Sequence, residues 1–316
     1  VAVSDFSAWT PIIWDDQAVN EELQPSAMYT AGRLMNMTSN SYEIPRFTDA
    51  DVNGGSTLTD DTNSSDTTTL YSYQFNGKFT LDEAEVEDSA ADVIDSTSFE
   101  WMNSLRISYD NACFGVSAAR STNAASFLPY NSVYYAVTHD DDDVDYTANT
   151  NYTLTPTSGL SYDVLNDGLG LAENTTFWNE STGIAIIHPK LKKSLRGIKD
   201  LNGRPILTES TGGFPGGGAK LVDDFMGYRA VYSRGAIVTS NFQGARGKAG
   251  AAVGNPLIIF ANPKNMVRGS RIEPQSQFIN ANINVNALEH TLQCRARLGF
   301  AATVPQSFSV IEVQNS

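Results

Sequence analysis

"LYSYQFNGKFTL" (residues 70–81) places Tyr71, Tyr73 and Phe75 on one face and polar residues between them. That period of two, with high β propensity, predicts a strand. Upstream, "SYEIPRF" (41–47) alternates in the same way over much of its length. The two runs predict an antiparallel hairpin. Its tip, "TDADVNGGSTLTDDTNSSDTTT" (48–69), is dominated by Asp, Ser and Thr and holds no lysine, arginine or aromatic residue. Ordinary hairpin loops hold about two to five residues. The entropy of loop closure rises slowly with length, so a long tip is tolerated. A lone two-stranded hairpin is only marginally stable in water, however. This one is expected to lie on a partner surface.

The rest of the chain bounds what such a hairpin can belong to. Its 316 residues suffice for a large core or for two or three packed lobes. Only 18% of residues are charged, so Asn, Ser, Thr and a net charge of -15 carry solubility. An acidic balance disfavours nonspecific binding to nucleic-acid phosphates. Cys113 and Cys294 are too few for a disulfide framework. They read as two buried free thiols, with a single long-range bridge as the alternative, and a reducing cytoplasm as the place of synthesis. No run of 18 apolar residues is present to span a membrane. "VAVSDFSAW" (1–9) lacks the basic start and apolar run of a signal peptide. The missing initiator Met is expected to reflect either trimming or removal of a longer leader.

Residues 1–40 read as an extended arm with a short helix near Gln17–Leu23; Trp9, Ile12, Ile13 and Trp14 give it apolar surface in need of cover. Residues 82–118 read as helical, with Asp82 or Ser89 as cap and Gly115 as stop. Trp101, Leu105 and Ala112 form an apolar stripe there, flanked by Met102, Tyr109 and Cys113, as core packing requires. Residues 119–158 read as loops with one strand, "SVYYAVT" (132–138). "LSYDVLNDGLGLA" (160–172) reads as a helix, "GIAIIHP" (183–189) as a buried strand, and "KLKKSLRGIKDLNG" (190–203) as a short basic helix and turn. "GGFPGGG" (212–218) reads as a flexible loop, and "LVDDFMGYRAVYS" (221–233) as a turn at Gly227 followed by a strand. "NPLIIFAN" (255–262), residues 279–304 and "SFSVIEV" (307–313) are strand-rich. The fold class is α+β.

Candidate chemistry is thin. "THDDDDVD" (138–145) offers carboxylates to a hard cation. It lacks the glycine at the sixth place and the closing Glu at the twelfth, and reads as an exposed acidic loop. In "GGFPGGGAKL", Gly213 and Gly218 have the phosphate-loop gap, but Ala219 precedes Lys220 and Leu221 stands where Ser or Thr would hold magnesium. His139, His188 and His290 form no zinc or protease motif, and His188 reads as a packed, satisfied residue. Asp223 and Asp224 are adjacent, so an extended backbone points them to opposite faces. Sequons at Asn36, Asn63, Asn151, Asn174 and Asn179 are uninformative in so Asn- and Thr-rich a chain. The expectation is no enzyme, and no catalytic, cofactor-binding or metal-binding residue.

The order of the pieces resembles the major capsid proteins of tailed bacteriophages, the HK97-fold family. "LDEAEVEDSAADV" (81–93) and "YDNACFG" (109–115) look like the entry and exit of that family's spine helix. "IIHPKLKKSLRGIKDLNGRPIL" (186–207) looks like its strand–helix segment ending D-x-x-G-R-P. "MGYRAVYS" (226–233) resembles the following strand, with Arg229 where proline is common. "LQCRARLGFAATVPQSFSVIEV" (292–313) resembles the closing strands, with Arg297, Gly299, Phe300 and Pro305 in the expected places. Each piece is weak alone, and the order of pieces carries the likeness.

The resemblance implies an N-terminal arm (1–40), an E-loop hairpin (41–81), a peripheral domain with the spine helix (82–159), an axial domain (160–275) and the closing strands of the peripheral domain (276–316). It implies self-assembly into hexamers and pentamers of an icosahedral shell that encloses double-stranded DNA without gripping it. Arm and E-loop would make the contacts between subunits. Portal, scaffold and decoration proteins would be the partners, host cytoplasm the place of assembly and the virion the final location, with no membrane involved. The Val1 start resembles the product of removing an N-terminal scaffolding region. Some family members cross-link the E-loop through a lysine. This tip has none, and Lys78 lies in the return strand, so a shell without that cross-link is expected. Two alternatives remain: an encapsulin-like compartment shell, and a secreted carbohydrate-binding protein.

Overall fold

The computed structural model describes residues 22–48, 64–82, 93–123, 126–156, 159–199, 224–247, 252–279 and 289–314. In chain order these form α1 (Ala27–Ala31), β1 (Arg33–Asn36), β2 (Ser41–Thr48), β3 (Ser64–Asp82), α2 (Val93–Phe114), α3 (Val133–Thr138), β4 (Tyr152–Leu154) and α4 (Tyr162–Glu173). There follow β5 (Ile184–Ile187), α5 (Lys192–Arg196), β6 (Asp224–Phe225), β7 (Tyr228–Tyr232), β8 (Ile237–Thr239), β9 (Val253–Ala261), β10 (Met266–Ile279), β11 (Glu289–Ala302) and β12 (Phe308–Glu312). The chain divides into two compact units. One comprises 1–23, 76–103 and 274–295, the other 24–75, 104–273 and 296–316.

The larger unit is built on a mixed sheet ordered β4-β12-β9-β5-β7-β6, with β8 paired to β9. β5 is buried at every position, as expected for a central strand with both faces covered. It runs parallel to β7 and antiparallel to β9. Helix α4 is capped by Ser161, whose hydroxyl accepts from the Val164 amide. Its Leu165, Leu169 and Ala172, spaced along one face, bury against Ile187, Ile258 and Phe260. At Gly168 a Cβ would sit 2.6 Å from Ile311 Cγ1, so the glycine lets helix and sheet approach closely. The β6–β7 turn uses consecutive positive φ angles at Met226 and Gly227, the backbone of a tight two-residue hairpin.

A second sheet has the order β1-β10-β11-β3-β2. β2 and β3 form the predicted antiparallel hairpin, in register from Ser41↔Tyr71 to Thr48↔Ser64. Both faces of β3 are used. Leu70 packs with Met37, Ile44, Val267 and Ala301. On the other face Tyr73 and Phe75 meet Tyr130, at 6.1 and 6.4 Å between ring centroids, and Phe75 stands edge-on to Tyr109 at 6.0 Å. Tyr109 and Tyr130 also donate their hydroxyls to the Gly299 and Leu298 carbonyls, at 2.8 and 2.6 Å. These aromatic contacts supply the support that a free hairpin lacks. In the smaller unit, a Cβ at Gly77 would lie 2.6 Å from Trp101 Cδ1, so glycine lets the indole lie on the strand.

Several expectations need correction. "SVYYAVT" is not a strand but helix α3. Ser132 caps it, accepting from the Tyr135 amide at 3.0 Å, and Val133 and Val137, one turn apart, are both fully buried. Burial at helical spacing outweighs the β propensity of Val and Tyr. Asp82 is the last residue of β3; α2 begins at Val93 among the described residues, and the residues after Asp82, Ser89 among them, lie outside. Residues 64–69 belong to β3, because β2 is long enough to pair with them; the remainder of the tip, 49–63, lies outside the described residues. No strand was expected over Met266–Ile279, where β10 forms. Its Gly269 and Pro274 disguise the alternation. The helix near Gln17–Leu23 falls mostly outside the described residues, and Glu22 and Leu23 are not helical. "GGFPGGG", Lys220, Leu221, Asp223 and Asn63 lie outside as well.

Candidate assembly interface

The hairpin is locked near the tip end of its paired strands by one side chain. Arg46 projects from β2 with only 6% of its side chain exposed. Its Nε donates to Asp66 Oδ2 at 3.1 Å and its Nη2 bonds the same carboxylate. Its Nη1 donates to Asp141 Oδ2 at 2.7 Å and to the Thr303 carbonyl at 3.4 Å, and Asp143 stands 3.6 Å from Nη2. The planar guanidinium thus ties two hairpin strands to the 141–143 loop and to the end of β11. Burial alone would lower the Arg46 pKa, but its hydrogen bonds with Asp66 and Asp141 outweigh burial and raise it. The Arg46 hydrogen bond holds the Asp66 carboxyl below its usual value.

A second polar centre lies where α2 ends. Asp110 is fully buried and accepts from Ser26 Oγ (2.5 Å), the Ala27 amide (2.7 Å), the Met28 amide (3.4 Å) and Ser233 Oγ (2.6 Å). Two of these donors are amides of the first turn of α1, which otherwise lack partners within the helix. Burial pushes the Asp110 carboxyl up to about 6, against the pull of these hydrogen bonds. Next to it, Asn111 donates to the Gly235 and Ile237 carbonyls at 2.8 and 2.7 Å and accepts from Thr239 Oγ1 at 2.6 Å. Helix α2 therefore holds the start of α1 and the β7–β8 connection together.

A cleft of about 570 Å³ opens beside the hairpin. Arg46, Tyr71, Arg120, Tyr135, His139 and Asp141 are among its lining residues. Arg120 stacks over the Tyr71 ring, 3.8 Å from its centroid, and its hydrogen bond lowers the Tyr71 pKa. Asp140 and Asp143, which line the cleft, are exposed, as are Asp142 and Asp145 in the same loop. Elsewhere in the same unit Leu191, Leu195 and Ile198 turn into the core, while Lys190, Lys193, Arg196 and Lys199 are exposed. Lys192 lies over the Tyr232 ring, 4.0 Å from its centroid.

The acidic loop read from sequence is exposed except at Asp141, which is half-buried against Arg46, and at the buried Val144. No group of His, Cys, Asp and Glu with metal-binding geometry occurs among the described residues. His188 is packed as expected: its Nδ1 accepts from the Lys190 amide at 3.1 Å, and burial holds its pKa down to about 4. His139 stacks on Tyr135, and His290 is buried beside Phe278. Cys113 and Cys294 are free and buried. No helix of the described residues is long and apolar enough to cross a membrane. Sequence reasoning overlooked Arg46, Asp110, Asn111 and Glu312, the last accepting from Tyr134, Tyr152 and Asn255. The one available signal was Asp110–Asn111, a polar pair between Tyr109 and Ala112 on an apolar stripe.

No family model matches the sequence, and no curated protein does. Solved structures match it closely in fold. A chain described as "Capsid of native GTA particle computed with C5 symmetry" aligns over 99% of this chain and 98% of its own length, with a TM-score of 0.69 at 11% identity. A structure from Gordonia phage Cozz aligns over 97% and 92%, with a TM-score of 0.68 at 14% identity. One from Microbacterium phage Oxtober96 aligns over 97% of both chains, with a TM-score of 0.64 at 17% identity. With a long hairpin on a mixed sheet, a long helix and the closing strands of the capsid chain all aligned, this chain has the α+β HK97-like capsid fold.

Proposed function

We propose that this chain is the major capsid protein of a tailed-phage-like particle, a structural subunit that self-assembles into the hexamers and pentamers of an icosahedral shell around double-stranded DNA. The observation that carries the reading is end-to-end agreement in fold with a chain described as a capsid, over 99% of this chain and 98% of that one. The hairpin supports it. A strand pair held by Arg46 close to where its long polar tip begins would present that tip to a neighbouring subunit. Residues 41–81 would serve as the E-loop and 1–40 as the arm, with peripheral segments at 82–159 and 276–316 and an axial domain over 160–275. Portal, scaffold and decoration proteins are the partners this reading calls for, the virion its location and host cytoplasm its place of assembly. A net charge of -15 favours a wall that encloses DNA without holding it.

The test is negative-stain microscopy of the purified chain together with its intact mass. Uniform closed shells built from chains of monomer mass are expected. A particle of one or two subunits under native conditions would overturn the reading. Covalent ladders would overturn the expectation of an uncross-linked shell. Shells filled with enzyme and free of DNA in the native source would favour the encapsulin-like alternative.

A further inference from the structure

The charges of this chain are segregated along its sequence in a way the proposed function does not by itself require. Residues 121–189 contain nine acidic residues and no lysine or arginine. Residues 181–199 contain Lys190, Lys192, Lys193, Arg196 and Lys199 and no acidic residue. The fold turns both features into surfaces. Leu191, Leu195 and Ile198 anchor the basic segment in the core, and Lys190, Lys193, Arg196 and Lys199, three residues apart, are all exposed. On the acidic side Arg46 occupies Asp141 and stands 3.6 Å from the still exposed Asp143, which lines the 570 Å³ cleft with Asp140; Asp140, Asp142 and Asp145 are exposed beside it. Lys190, Lys193 and Lys199 make no ion pair with a described residue of their own chain.

We propose that the basic stripe Lys190–Lys199 of one copy docks at the acidic cleft rim Asp140–Asp145 of a second copy. The inference rests on the reading of the chain as a shell subunit and names the surfaces that pair. Complementary potential sets register and steers encounter, and like-charged approaches are penalised. Each exposed ion pair is weak. Repetition over every contact of a closed shell makes the sum decisive without making any single contact irreversible. The cleft gives flexible lysine side chains room to reach the carboxylates.

Charge exchange tests this. The parent chain, Lys190→Glu/Lys193→Glu, Asp142→Lys/Asp145→Asn and the chain carrying all four substitutions are compared by thermal melt and by particle yield in micrographs. Either reversal is expected to cut yield about tenfold or more at low salt while leaving the melt unchanged, and the four-substitution chain to recover most of it. If a reversal fails to fold, Lys190→Gln/Lys193→Gln and Asp142→Asn/Asp145→Asn replace it. Both neutral pairs should lower yield, and their combination should cost no more than either alone. Unchanged yield in either reversal, or no recovery in the combined chain, overturns the pairing. So does retention of a DNA fragment by the parent that Lys190→Glu/Lys193→Glu abolishes, which would assign the stripe to a polyanion. A parent that forms no particles sinks the shell reading and this inference together; a parent that assembles beside indifferent variants removes the inference alone.

Discussion

Two buried ionisable residues set opposing pH dependences. Asp110 has its folded pKa pushed up to about 6 by burial, above its ordinary value of 3.8. The fold thus favours its neutral form, and the stability it contributes is complete below pH ~4 and lost as pH rises through 6. His188 has its folded pKa pushed down to about 4, below its ordinary value of 6.5. Its contribution is present above pH ~6.5 and lost as pH falls toward 4. Each shift is about two units, on the order of 3 kcal/mol, so in the parent chain the two slopes largely cancel. His188→Asn keeps an acceptor for the Lys190 amide and removes the titration. Urea unfolding of that variant should show stability falling between pH 4 and 6, where the parent is nearly flat. Equal slopes in both chains would contradict the assignment. Asp110→Ala strands four donors and is expected to cost about 3–5 kcal/mol in the same measurement.

Elements are fixed here by their ends as much as by their periodicity. Helix α2 ends at Phe114, and at the following Gly115 a Cβ would overlap the Ile237 carbonyl oxygen, a backbone atom. Gly115→Ala should destabilise by about 3 kcal/mol or more, read as a lower urea midpoint with an unchanged slope. Helix α3 depends on Ser132, which caps it and also donates to the Val116 carbonyl at 2.5 Å. Ser132→Ala should cost about 1–2 kcal/mol and raise amide exchange over residues 133–138. For the hairpin, Arg46→Ala leaves Asp66, Asp141 and Asp143 facing one another. Exchange across β2 and the paired part of β3 should rise several-fold, and lowering the pH should partly restore protection by neutralising the carboxylates. Protection that ignores both the substitution and the pH would remove Arg46 as the lock.

At the scale of the molecule, β3, α2, β10 and β11 each run from one compact unit into the other, since their spans cross the unit boundaries. Continuous hydrogen-bonded elements couple the stability of the parts they join. Unfolding should therefore be a single cooperative event. Trp101 lies in the smaller unit and Trp178 in the larger. Urea transitions followed by fluorescence in Trp101→Phe and Trp178→Phe chains should coincide once each variant's stability change is subtracted. Two resolved transitions would show the units to be independent.

What the sequence determined was mostly local and ordered. The alternation around Tyr71–Phe75 specified the hairpin, the stripe through Leu105 and Ala112 specified α2, Ser161 and the apolar face behind it specified α4, and the succession of these pieces pointed to the fold. Each of those signals is written in neighbouring residues, because side-chain period and capping act within a turn or a strand. Tertiary structure decided the rest. Val133 and Val137 chose a helix over the strand their propensities favour, because burial at a spacing of four is a property of what packs against them. β10 became a strand despite Gly269 and Pro274 because neighbouring strands supplied its hydrogen bonds. Arg46 found Asp141 across 95 residues and Asp110 found Ser26 across 84, pairings that no local pattern records. Buried charges need partners, and only the folded chain determines which ones lie within reach.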